Sequence, residues 1–289
     1  MEIISGKTLA ATVKEGLKSQ VAELVSKYGR IPNLVVILVG DDPGSKSYVS
    51  GKTKAADFVG IKNSLLHFED SMTESELLAE VNRLNDDSDV DGILVQLPLP
   101  KQIRTNVILD AIRADKDVDG FHRLNAADLF QSRITCETVL PCTPHGIIKL
   151  LESKNIEISG KHAVVIGRSN IVGMPVAKML LDKNATVTIC HSRTQNLAEI
   201  TRQADILVSA IGRPNFVKAD MVKEGAAVID VGTSFNAETG RICGDVDFVN
   251  VSDKTSFITP VPGGVGPMTI ACLMENTVRC FLNHVSDSK

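Results

Sequence analysis

Apolar positions follow two periods along this chain. Residues 34–39 form a continuous apolar run rich in β-branched residues, which predicts a strand covered on both faces of a parallel sheet. Before it, Leu9, Val13, Leu17, Val21, Leu24 and Val25 recur at helical spacing and predict a helix over 8–28. After it, Asp41-Asp42-Pro43-Gly44 reads as a turn, and residues 48–61 read as a helix closed by Gly60. Strands are predicted over 65–68 and 92–97. Between them lies a helix over 73–84, opened by a capping box of Thr73 and Glu76.

The pattern breaks at Pro141-Cys142-Thr143-Pro144 and resumes with a helix carrying Ile147, Ile148, Leu150 and Leu151. A strand over 161–167 then runs through a glycine turn into a helix over 172–181. Buried strands follow over 185–190, 204–211 and 226–232, and a last helix over 269–285 begins after Pro267. Alternating strands and helices predict an α/β fold in two domains. An N-terminal α/β domain takes residues 1–142 and, through the last helix, 268–289. A C-terminal Rossmann-like, doubly wound parallel sheet takes 143–267.

Composition narrows the function. The 289 residues carry a net charge of −4, so no global basic field invites nucleic acid. No apolar run is long enough to span a membrane, and Met1-Glu2-Ile3-Ile4-Ser5-Gly6 lacks the basic start and apolar run of a leader. The 6 cysteines form no CxxC pair, so reduced core thiols in a cytoplasmic protein are expected, with no metal site. Asp115, Asp117 and Asp119 mimic a calcium loop, but the twelfth position counted from Asp115 is Ala126, where that loop needs Glu.

Candidate chemistry sits at strand ends and on one helix. Tyr48 and Lys52 are four apart and share a helix face. An aromatic plane beside an amine suits a site that stacks a flat substrate and moves a proton on it. A lysine amine has a reference pKa of about 10.4, so a base role requires desolvation or a neighbouring cation. A plain amphipathic helix fits the same spacing. Gly51, inside that helix, costs up to ~1 kcal/mol relative to Ala. Gln96 ends a strand just before Pro98 and Pro100, where it is placed either to orient a ligand or to tie down a loop. Asp119, before Gly120, can accept hydrogen bonds from the N–H groups of a heterocycle.

In the second half, Gly167 and Gly173 flank a turn at a helix start, a weak match to a pyrophosphate cradle. The following strand ends in Cys190-His191-Ser192-Arg193, without the acid that binds a ribose 2′-hydroxyl. With Arg168 nearby, a hydroxyl and guanidinium there suit a 2′-phosphate and favour NADP over NAD. An exposed turn with incidental basic residues fits equally. The stretch Thr259-Pro260-Val261-Pro262-Gly263-Gly264-Val265-Gly266-Pro267-Met268-Thr269 combines a stiff backbone with room for close ligand approach.

Six segments, YVSGKTKAADFVGI, DGILVQLPLP, KDVDGF, PCTPHG, GRSNIVGMP and TPVPGGVGPMT, follow in order between residues 48 and 269. Through them the chain resembles the bifunctional methylenetetrahydrofolate dehydrogenase/methenyltetrahydrofolate cyclohydrolase family. The resemblance implies an enzyme that oxidises 5,10-methylenetetrahydrofolate with NADP and hydrolyses the methenyl product to 10-formyltetrahydrofolate. It makes Lys52 the catalytic lysine, Tyr48 the ring that stacks on folate, Gln96 the partner that tunes Lys52, and Asp119 the pterin ligand. Val95 and Leu97 flank Gln96 on the substrate side, and Pro262, Gly263, Gly264, Val265 and Gly266 line the folate site. Gly167, Arg168 and Ser169 bind the cofactor, Ser192 and Arg193 its 2′-phosphate. Thr233 touches it too, although relatives often carry Ile-Asn where this chain has Thr233-Ser234. A homodimer is also implied.

Overall fold

The computed structural model describes residues 1–236 and 241–287. In chain order its elements are β1 (Glu2–Ile3), α1 (Gly6–Tyr28), β2 (Asn33–Val39), α2 (Pro43–Val59), β3 (Lys62–Phe68), α3 (Glu74–Asp86), β4 (Gly92–Val95), α4 (Thr105–Ala111), α5 (Arg123–Phe130), α6 (Cys142–Ser153), β5 (His162–Ile166), α7 (Gly173–Asp182), β6 (Thr186–Cys190), α8 (Leu197–Thr201), β7 (Ile206–Ser209), β8 (Ala226–Asp230), β9 (Ser234–Asn236), β10 (Arg241–Cys243), α9 (Phe248–Val251), β11 (Thr255–Ile258) and α10 (Val265–Asp287). The chain divides into two compact units, residues 12–142 with 270–289 and residues 1–11 with 143–269. Among the described residues, no helix is long and apolar enough to cross a membrane.

The first unit holds a parallel sheet in the order β3-β2-β4. All seven residues of β2 are buried, as its unbroken apolar run demands of a central parallel strand. One face packs Val35, Ile37 and Val39 against Leu77, Val81 and Leu84 of α3 and Ile108 and Ile112 at α4. Each such side chain contributes ~1.5–3 kcal/mol when fully buried. The capping box at α3 is complete, with Thr73 and Glu76 each satisfying the other's backbone N–H. At the other end of α3, Lys116 Nζ donates to Leu84 O (3.0 Å) and Asp87 O (2.7 Å).

Helix α2 begins at Pro43, so residues expected in a turn are already helical. Asp42 caps it by accepting from Ser45 N at 2.7 Å, and Pro43 suits a first turn because its missing N–H would have no helical partner. Gly60 ends the helix at φ 88°, the left-handed region that glycine enters without strain. Gly51 has a packing reason, since a Cβ there would lie 3.2 Å from Ile270 Cδ1 of α10.

The second unit holds a parallel sheet in the order β1-β11-β8-β7-β5-β6, with a separate antiparallel pair β9/β10. Val164, Ile166, Leu207 and Val228 form its central core. Residues 1–11 fall in this compact unit. The reason is pairing: β1 lies parallel to β11, Ile4 N donates to Ile258 O at 2.8 Å and Lys7 N to Gly263 O at 2.9 Å. Helix α10 starts at Val265, four residues before the start expected from the sequence, and Pro267 falls in its first turn, where a missing N–H has no consequence.

In the first unit, buried Asp91 accepts from Asn33 N and Arg30, and His284 of α10 stands 3.1 Å from it through Nδ1. His284 Nε2 lies 3.3 Å from Asp115 Oδ2. Asp115 and Asp91 together raise the imidazole pKa above its ordinary value. A raised folded-state pKa gives stability that is complete below the unfolded value of about 6.5 and fades as pH rises through the folded one. His284→Gln should therefore lower Tm at about pH 6, and the gap to the wild type should narrow as pH rises toward about 9. A Tm gap that does not change across that range would rule out the charged imidazole as the source.

Candidate active site

In the first unit, α2 carries Lys52 inward while Tyr48, one turn earlier, stays exposed. Lys52 is only 8% exposed, and its Nζ donates to Gln96 Oε1 at 3.0 Å. Gln96 follows β4, and its backbone N–H still donates to Ile37 O of β2 at 2.8 Å. Its Nε2 donates to Leu97 O at 2.7 Å, which turns Oε1 toward the lysine. A cis peptide links Leu97 to Pro98 where the strand stops. Val95 is buried beneath this corner and Leu97 is half-buried.

Asp119 reaches the same place from a turn. Burial raises its carboxyl pKa, and the positive charge of Lys52 opposes that rise. The turn is built by its neighbours. Buried Asp117 accepts from Gly120 N (3.1 Å), His122 N (2.7 Å) and Asn125 Nδ2 (2.9 Å). Gly120 has φ 71°, and a Cβ there would lie 2.6 Å from Leu140 C and Pro141 N. Asn276 of α10 joins the two segments, donating through Nδ2 to Val118 O (2.9 Å) and Leu140 O (2.8 Å). Cys142 Sγ also donates to Val118 O, at 3.3 Å. The three aspartates of this stretch thus have separate tasks: Asp115 pairs with Arg113 and His284, Asp117 holds the turn, and Asp119 stands by Lys52.

In the second unit, Gly167 follows β5 and lies against the loop after β7, where a Cβ would meet Ala210 O at 2.5 Å. A Cβ on Gly173 would overlap Gly167 O, so both glycines keep the turn tight. Ser169 Oγ accepts from Val172 N and Gly173 N, each at 3.2 Å, at the start of α7. Arg168 and Ser169 are exposed. After β6, His191 N donates to Thr194 Oγ1 at 2.8 Å and Arg193 N to His191 Nδ1 at 3.1 Å. That turn leaves Ser192 and Arg193 exposed, and Thr233 is exposed after β8. Pro262, Gly263 and Gly264 form the loop between β11 and α10, while Val265 and Gly266 are the first residues of α10. This loop packs on Gly6, where a Cβ would overlap Gly264 O.

The structure therefore gathers Tyr48, Lys52, Val95, Gln96, Leu97 and Asp119 in the first unit. Gly167, Arg168, Ser169, Ser192, Arg193, Thr233 and residues 262–266 lie in the second. Asp117 and Asn276 escaped the sequence reading. The spacing of Asp117 to Gly120 was a usable turn signal, whereas nothing local marks Asn276, which lies 136 residues from the carbonyl of Leu140.

Two family models match the chain: the catalytic domain of tetrahydrofolate dehydrogenase/cyclohydrolase over residues 4–119, and its NAD(P)-binding domain over residues 141–285. The chain belongs to the tetrahydrofolate dehydrogenase/cyclohydrolase family. Within this family, the bifunctional protein FolD of Bacillus anthracis is 55% identical over 277 residues, covering 96% of this chain and 95% of that protein. The bifunctional FolD methylenetetrahydrofolate dehydrogenase/cyclohydrolase of Campylobacter jejuni superposes with a TM-score of 0.95 at 52% identity, covering 98% of this chain and 99% of that one. The Trypanosoma brucei enzyme, solved with NADP and an inhibitor, gives a TM-score of 0.93 at 39% identity, covering 98% of each chain.

Asn276→Leu keeps the volume but removes both donors. Leu140 O then loses its side-chain donor and Val118 O keeps only a thiol, so the fold should lose about 1–3 kcal/mol. Denaturant unfolding of the two proteins measures it, and an unchanged midpoint would show that the two carbonyls do not depend on this amide.

Proposed function

We propose that the first unit binds tetrahydrofolate derivatives at Tyr48, Lys52, Val95, Gln96, Leu97 and Asp119, and that the second unit binds NADP. The enzyme oxidises 5,10-methylenetetrahydrofolate to the 5,10-methenyl form with NADP and hydrolyses that form to 10-formyltetrahydrofolate. The buried amine of Lys52, held by Gln96 beside Asp119, carries the catalytic assignment.

NADP fits the strand ends of the second unit. Gly167 and Gly173 keep side chains out of the turn, and Arg168, Ser192 and Arg193 offer exposed donors where no carboxylate follows β6. When bound, the nicotinamide accepts a hydride. Loss of that hydride from the one-carbon bridge leaves a cation shared with the two flanking nitrogens. This step therefore needs orientation rather than an acid or base, and Tyr48 supplies a stacking surface while Asp119 accepts hydrogen bonds from the pterin.

Hydrolysis needs proton movement. Water attacks the methenyl carbon and the neutral form of Lys52 takes one of its protons at Nζ; the ammonium so formed returns that proton to N5, the N5–carbon bond breaks, and the remaining hydroxyl proton leaves to solvent as the formyl C=O forms on N10. Gln96 Oε1 accepts from Nζ and keeps the amine aimed at the site. Cytoplasmic residence and a homodimer complete the reading, supported by the absence of paired cysteines and by the family resemblance respectively.

Lys52→Met should cut methenyl hydrolysis by about 10²–10⁴-fold and leave NADP affinity intact, as read by decay of the methenyl absorbance and by NADP titration. Hydrolysis at the wild-type rate would remove Lys52 from the mechanism. Arg193→Ala should weaken NADP by roughly 10-fold or more, the value of a charge-assisted contact, with little change for NAD. Equal losses for both would place Arg193 away from the 2′-phosphate.

A further inference from the structure

Two carboxylates are buried in the second unit beneath the strand ends assigned to NADP. Asp245 is fully buried. Its Oδ2 accepts from Ser209 Oγ (3.1 Å) and Ile211 N (2.8 Å), and its Oδ1 accepts from Arg213 N (2.7 Å). These bonds wrap the segment after β7 around one carboxylate. Its neighbour Asp230, at the end of β8, accepts from Gly232 N (3.0 Å), Asp245 N (2.9 Å) and Val246 N (2.9 Å). The Asp230 backbone N–H donates to Thr259 Oγ1 at 2.8 Å.

This arrangement is poor for stability alone. Burial, with the negative charge of Asp245 beside it, pushes the Asp230 carboxyl up to about 6. Buried like charges cost free energy that an apolar or neutral pair would avoid. The geometry shows what they hold. The missing side chain of Gly232 leaves the space filled by Asp245 Oδ1, and Thr233 follows directly. The segment wrapped by Asp245 carries Ala210, whose carbonyl oxygen packs where a Gly167 Cβ would be. Asp245 thus fixes the two segments that bear on Gly167 and Thr233, at the carboxyl edge of the sheet where dinucleotides bind.

We propose that Asp245 is a positioning residue for NADP: it sets the loops after β7 and β8 in the shape that receives the dinucleotide, without touching it. The proposal rests on the cofactor assignment above. The segments it holds carry neither Ser192 nor Arg193, so its effect is independent of the 2′-phosphate.

The test uses the full-length enzyme, titrated with NADP and with NAD, and assayed separately for methenyl hydrolysis, which consumes no NADP. Asp245→Asn replaces one acceptor oxygen with an amide that faces a backbone donor. It should weaken both dinucleotides by the same factor, roughly 10-fold or more, and leave methenyl hydrolysis within about two-fold of wild type. Ser209→Ala removes one bond to the same carboxylate and is the milder variant should Asp245→Asn fail to fold. It should give a few-fold loss with the same equality between NADP and NAD. Unchanged dinucleotide affinity in the variants overturns the proposal. So does a parallel fall in hydrolysis, which marks a purely structural role. Wild-type enzyme that binds neither dinucleotide overturns the cofactor assignment itself, and the proposal with it.

Discussion

An amine taken out of water costs several kcal/mol unless its donors find partners. Lys52 is such an amine, and its surroundings in the first unit are arranged to meet that cost. Gln96 Oε1 accepts from it at 3.0 Å, and the Asp119 carboxyl lies close enough to interact with its charge. Both partners come from backbone with little freedom: Gln96 is still bonded to β2, and Asp119 lies in a turn held by Asp117 and Asn276. The strands and turns around the lysine keep its amine buried and fixed in direction.

The two units repeat one device. A buried carboxylate collects backbone N–H groups from a turn beside a strand, and a glycine leaves the turn room to close. Asp117 does this with Gly120 in the first unit, and Asp230 does it with Gly232 in the second. Water cannot reach these turns to satisfy their N–H groups, so a fixed acceptor replaces it. The acceptor also removes freedom from the loop, which a binding site requires of its walls.

Sequence pattern made much of this legible, and the limits have physical causes. The β2 run, the α3 capping box and Gly60 are local signals, and each marks its element. Proline is ambiguous: Pro43 and Pro267 read as breaks, yet both sit in first turns, where a missing N–H costs nothing. The membership of residues 1–11 was hidden because it depends on two strand residues pairing with β11 more than 250 positions away. Lys52, Gln96 and Asp119 were visible as types at strand and helix positions. Their convergence, like the roles of Asn276 and Asp245, exists only through contacts of long separation.

The interlocking of Asp230, Asp245, Gly232 and Gly244 has an evolutionary consequence. A Cβ on Gly244 would overlap the Asp230 carboxylate, as one on Gly232 would overlap Asp245. Neighbours in such contact are strongly non-additive. No single step at either glycine escapes the clash, and no single step at either aspartate preserves the acceptors. Change at any one of the four positions therefore requires change at another, while the exposed turn after β6 meets no such overlap. A substitution in that turn stands or falls by itself, whereas one among the four buried positions calls for a partner substitution.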